Sequence, residues 1–244
     1  MTLIREYIRT VLLETLCPFP KAVFMAGGPG SGKSTVIRKL GLAGNFKVIN
    51  PDDAYEQSLI AAGISLDRNT MFSQYKEIKE KYLQAEKDGA TEIRDELEPK
   101  YLALRAVMSK NMKLFTAARA AAKKTQEEYS CNKENFLVDG TGGNVKQIAK
   151  QVRELRLLGY DVAMVFVGVP LKTSVARNRQ RGKAGGRQLA DKTVEKSWNA
   201  VTRNREFYDE FFGENFFYID ATEGLFDDSI ESVRSSLSSF LTQV

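Results

Sequence analysis

An eight-residue stretch, Gly27-Gly28-Pro29-Gly30-Ser31-Gly32-Lys33-Ser34, joins an apolar run at 22–26 directly to a helix-forming segment at 33–40. Glycine tolerates positive φ, so a loop this rich in it can turn its backbone N–H groups inward around an anion. The helix behind adds its positive N-terminal end at the same point. Strand, glycine loop and helix in that order commit the chain to a sheet of parallel strands covered by helices. The stretch fits GxxxxGK[ST], the P-loop pattern, in which Lys33 reaches terminal phosphates and the Ser34 hydroxyl binds a divalent cation. Gly28, Gly30, Ser31, Gly32, Lys33, Ser34 and Thr35 are the candidate nucleotide-binding residues, for ATP or GTP with Mg²⁺.

Further apolar runs fall at 46–50, 136–139, 162–169 and 216–220. Helical patterns lie between them, at 145–158, 171–182, 189–211 and 228–241. The fold expected is α/β, with five parallel strands flanked by helices. The segment from about 53 to 130 is rich in Ala, Glu, Lys, Gln and Leu, and reads as a long helical insertion with breaks at Gly63, Gly89 and Pro99. Residues 1–18 read as an amphipathic helix, with Leu3, Ile4, Tyr7, Ile8, Val11 and Leu12 at helical spacing, and residues 19–244 as one domain.

Composition excludes much. The chain has 0 histidines, so no Ser-His-Asp or Cys-His mechanism and no HExxH zinc site can be built. A general base must be a carboxylate, a lysine, a tyrosine or a cysteine. Cys17 and Cys131 fit no CxxC spacing and suit a reducing, cytoplasmic setting. No apolar run approaches the length of a membrane span.

Three motifs carry candidate chemistry. Asn50-Pro51-Asp52-Asp53 follows the second strand, where open sheets present catalytic groups, so a carboxylate here is the natural acceptor for a hydroxyl proton. Either aspartate could equally cap the next helix. Asp139-Gly140-Thr141 ends the third strand, and an apolar strand closing on Asp suits a metal-ordering carboxylate, with Ser34 and Asp139 as the metal pair. Residues 172–187 hold six Lys and Arg and no acid, with glycines at 182, 185 and 186. This segment reads as a mobile lid at about 177–188, whose charges lack partners until a triphosphate arrives. Arg177 and Arg181, four apart, would close over that triphosphate.

In this order the motifs resemble the zeta-toxin-like P-loop kinases over about residues 21–220, with Gly159-Tyr160 and Val169-Pro170 also matching. The resemblance implies a phosphotransferase moving the γ-phosphate of ATP to a hydroxyl. By motif position Asp52 takes the catalytic base, Asp139 and Thr141 contact substrate, and Arg177 and Arg181 belong to the lid. Phage polynucleotide kinases are also similar, through Asp52-Asp53 with Tyr55 and through Arg177-Asn178 with Arg181-Gly182. The expected acceptor is a nucleotide sugar or other small nucleotide-type substrate, with a 5′-hydroxyl nucleic-acid end as the alternative. A third reading is a nucleotide-binding packaged or structural protein without transfer. An antitoxin or capsid partner is left open. The N-terminal segment also resembles helices that target internal proteins of tailed phages into the prohead. There cleavage follows an Leu-x-Glu triplet, and Leu12-Leu13-Glu14 fits, so virion packaging is the alternative location.

Overall fold

In a computed structural model, which describes residues 19–242, the buried run Lys21–Ala26 forms strand β1 at the centre of a five-stranded parallel sheet. The proposed N-terminal helix and its Leu-x-Glu triplet lie outside the described residues. From β1 the chain passes through helices α1 (Lys33–Lys39) and α2 (Leu42–Asn45) to β2 (Lys47–Ile49). Helices α3 (Pro51–Ala61), α4 (Arg68–Lys87) and α5 (Thr91–Cys131) lead to β3 (Phe136–Asp139). Next come α6 (Val145–Leu157), β4 (Asp161–Gly168), α7 (Leu171–Lys183), α8 (Asp191–Arg203) and α9 (Arg205–Phe212). Strand β5 (Phe216–Asp220) and α10 (Phe226–Thr242) finish the chain. The strand order is β2-β3-β1-β4-β5, with every pairing parallel. The loops at the C-terminal ends of β1, β2 and β3 therefore open on one crevice, where such sheets bind ligands.

Alternation along each strand builds two cores. Val23, Met25, Leu137, Ala163, Val165 and Val167 face one side, against Val36 of α1 and Ile230 and Leu237 of α10. Ala22, Phe24, Ala26, Phe136, Val162, Met164 and Phe166 face the other, against Val152 of α6, Val201 of α8 and Tyr208 of α9. The insertion has its own cluster, in which Tyr55 and Leu59 of α3 and Met71 of α4 meet Ala118 of α5. Tyr55 donates its hydroxyl hydrogen to Asn111 of α5, fixing α3 against the long helix.

Two expectations are corrected here. Gly63 and Gly89, at φ +66 and +68, do end helices, but Pro99 lies inside the 41-residue α5 without ending it. A proline deletes one N–H donor, and the many other bonds of a helix roughly 60 Å long carry that loss. The single helix expected at 189–211 is two, α8 and α9, meeting at Asn204. This side chain donates to the Gly142 carbonyl at 2.9 Å and the Gly143 carbonyl at 3.2 Å, tethering the junction to the loop after β3. The helix expected at 33–40 is α1, and after Gly41, at φ +68, the chain adds the short α2. Among the described residues no helix is long and apolar enough to cross a membrane.

Candidate active site

The glycine loop between β1 and α1 is held from outside by α7 and α8. Gly30 has φ +77, and a Cβ there would stand 2.5 Å from the Ser174 carbonyl oxygen of α7. Ser174 also donates its hydroxyl hydrogen to the Pro29 carbonyl. Arg177 donates to the carbonyls of Ser31 at 3.4 Å and Ala221 at 3.1 Å. Trp198 lies against Gly28 while its indole N–H donates to the Val169 carbonyl at 2.7 Å. The loop's own N–H at Gly27 donates to the Thr141 carbonyl at 3.0 Å, which ties it to the end of β3. Gly30→Ala is expected to cost about 2 kcal/mol or more, through a strained φ and a backbone collision. Gly44→Ala, with open space around it, is the neutral control. Urea unfolding of both variants checks this.

Lys33 donates from Nζ to the Gly27 carbonyl at 2.9 Å and lies 3.5 Å from that of Gly28, spanning the loop as it would span phosphates. Burial pushes its ammonium below the ordinary lysine value, while Asp139 and Asp52 pull it back up. The groups expected to act together on a phosphoryl group are thus within electrostatic reach of one another. Ser34 is exposed and Thr35 half-buried, both at the start of α1.

Neither Asp52 nor Asp53 caps α3. Asn50 does, its Oδ1 accepting from the N–H groups of Asp52 at 3.0 Å and Asp53 at 3.3 Å. Its Nδ2 donates to Asp139 Oδ2 at 3.1 Å, joining the ends of β2 and β3. The Asp52 side chain is left for Arg187, whose Nη2 and Nη1 donate to its two oxygens at 2.8 and 3.3 Å. Burial pushes the Asp52 carboxyl up, but the Arg187 guanidinium, with Lys33 and Arg119 behind it, more than reverses this and holds it below the usual carboxylate range. Asp139 has no such partner. Burial pushes its carboxyl up despite Lys33, and its Oδ1 is buried without a hydrogen bond. Thr141, exposed two residues on, meets the loop through its backbone.

The lid differs from its expectation. Its first half, with Arg177 and Arg181, lies in the expected helix as α7, but its arginines already have partners. Arg179 pairs with Asp191, Arg181 with Glu56 at 2.5 Å, and Arg187 with Asp52 and Glu56. The glycines serve close packing as much as freedom: a Cβ on Gly182 would stand 2.0 Å from Gln188 Oε1. Asn178 fastens the return, donating to the Leu189 carbonyl at 2.8 Å and accepting from its N–H at 3.1 Å. Sequence reading missed Glu56, Arg187 as a partner of Asp52, and the bridging of Asn50. The only local signal was the spacing of Glu56, four residues after Asp52.

A family model described as AAA domain matches residues 23–207. No curated protein matches the sequence. Among solved structures, a protein assigned as a kinase from Chloroflexus aurantiacus is 12% identical, with a TM-score of 0.54 over 89% of this chain and 98% of that one. A chain of the PezAT toxin–antitoxin system of Streptococcus pneumoniae is 14% identical, covering 98% and 96%, with a TM-score of 0.49. A chain of the Pnkp1/Rnl/Hen1 RNA repair complex is 20% identical, covering 78% and 47%, with a TM-score of 0.44. Identities this low speak to fold alone. The family match spans most of the chain and takes in the glycine loop, Asp52, Asp139 and the arginines of α7: the protein belongs to the AAA domain family and has its P-loop kinase-like fold.

Proposed function

We propose that the protein is an ATP- and Mg²⁺-dependent phosphotransferase acting on the hydroxyl of a small nucleotide-type acceptor such as a nucleotide sugar. The observation that carries this reading is the convergence of Lys33, Asp52 and Asp139 at one end of the sheet, where Asn50 bridges the Asp52 N–H and the Asp139 carboxylate and both carboxylates act on Lys33. Lys33 and the loop amides bind the donor phosphates. Asp52, ionised at neutral pH, accepts the acceptor's hydroxyl proton. The acceptor oxygen bonds to the γ-phosphorus as the bond to the β–γ bridging oxygen breaks, and that electron pair leaves on the diphosphate. Arg177 and Arg181 stabilise the transferring group, and Asp139 and Thr141 contact substrate. The buried, unpartnered Oδ1 of Asp139 suits a cation. Mg²⁺ held by Ser34 and Asp139 would neutralise charge on the phosphates.

A polynucleotide 5′-hydroxyl kinase is the second reading, and one feature of α5 favours it. Residues 100–125 carry seven Lys and Arg and no acid, and Arg119 acts electrostatically on Asp52. Incubation with labelled ATP is expected to label UDP-sugars, with affinity that depends gently on salt. Labelling of a 5′-hydroxyl oligonucleotide instead, weakening steeply with salt, selects the second reading. ATP binding with no labelled acceptor selects a nucleotide-binding protein without transfer.

A further inference from the structure

Glu56 belongs to none of the motifs that mark the site, yet it meets two arginines of the lid. It lies one turn beyond Asp52 on α3, which puts both carboxylates on one helix face. Its Oε1 stands 2.5 Å from Arg181 Nη2 and 3.1 Å from Arg187 Nε. Arg187 turns its remaining two nitrogens to Asp52, so one guanidinium spans both carboxylates. The Glu56 and Arg187 side chains are only 17% and 9% exposed. Both arginines also act electrostatically on Lys33, the residue proposed to bind the donor phosphates.

We propose that Glu56 is a positioning residue: it anchors Arg181 and Arg187 on α3 so that they stand ready to exchange a carboxylate for phosphoryl oxygens. The proposal rests on the phosphotransferase reading of the site. Two guanidiniums and two carboxylates balance in charge before nucleotide arrives. A triphosphate supplies competing anionic oxygens, and Arg187 can turn its Nη groups to them while its ion pair with Glu56, close at Nε though not aligned as a hydrogen bond, keeps it on α3. Asp52 is then released to receive the acceptor's proton, so the base is freed as the donor binds. Without Glu56, Arg187 is left to Asp52, and the half-exposed Arg181 loses the carboxylate that orders it.

Glu56→Gln and Glu56→Asp test this. In the absence of nucleotide, trypsin should cut Glu56→Gln after Arg181 and Arg187 about tenfold faster than wild type, because cleavage follows the population of the undocked lid. The thermal midpoint should stay near wild type. In turnover, kcat should fall roughly 10²-fold while the KM for ATP and for acceptor moves less than about threefold, the mark of misplaced charge and intact binding. Glu56→Asp retains the charge and should recover much of the lost kcat. Unchanged lid cleavage in Glu56→Gln, or an equal kcat loss in both variants, overturns the proposal. The digestion needs no acceptor. If wild type labels nothing, the phosphotransferase reading falls, while faster lid cleavage still supports Glu56 as the anchor.

Discussion

Lys33→Ala is expected to lower phosphoryl transfer by roughly 10²–10³-fold or more and to weaken ATP binding, while leaving the fold as stable as before. The loss has one cause: Lys33 is the one side-chain charge the glycine loop itself supplies to the phosphates. The stability expectation follows from the direction of its titration. Burial lowers the Lys33 value in the folded chain below its ordinary 10.5, so below that value the unfolded chain binds the proton more readily. At neutral pH the buried ammonium therefore opposes folding, and alanine removes that opposition. The two carbonyls of Gly27 and Gly28 that Lys33 meets can take water in its place. Isothermal titration with ATP and a thermal melt check both halves. Wild-type turnover would sink the assignment of the loop, and a sharp fall in melting temperature would mean that Lys33 is structural.

Strands β1, β3 and β5 were readable to within a residue or two because each is an apolar run cut short by Gly or Asp. The division between α8 and α9 was not, because Asn204 is no helix breaker by itself. Its tether is to backbone 61 and 62 residues away. Pro99 misled in the opposite sense, since its cost is local and α5 is long. The same contrast runs through the site. The loop, Asp52 and Asp139 follow from short patterns whose chemistry is local. The Arg181–Glu56 and Arg187–Asp52 contacts join residues 125 and 135 apart, so they follow from the sheet order and not from any window of sequence. A basic segment read alone shows six charges in want of an anion; the packing of the lid over α3 supplies two carboxylates to Arg181 and Arg187, and Asp191 of α8 supplies one to Arg179. The expectation of an unpartnered lid failed for that reason.

Asp52→Asn separates binding from chemistry. The amide keeps the shape and can still accept a hydrogen bond from Arg187, but it cannot take a proton. ATP should bind nearly as before while transfer falls by roughly 10²–10⁴-fold. Asp53→Asn is the control and should be mild, because Asp53 is exposed and meets the site through its backbone N–H on Asn50 and, across space, through its charge on Asp139. The pH dependence has a definite sign. The Asp52 value is depressed in the folded chain, so its stabilisation is fully present above its ordinary 3.8 and is lost as pH falls through the lower folded value. Wild type should accordingly lose stability in strong acid more steeply than Asp52→Asn, which has no such proton to take up. Across neutral pH the two should run parallel, with Asn lower by a small and constant amount. Acid unfolding followed by tryptophan fluorescence reads this directly, since Trp198 packs on the loop beside the site. A severe Asp53→Asn with a mild Asp52→Asn would move the base by one residue. Loss of ATP binding in Asp52→Asn would instead make Asp52 a structural anchor for Arg187.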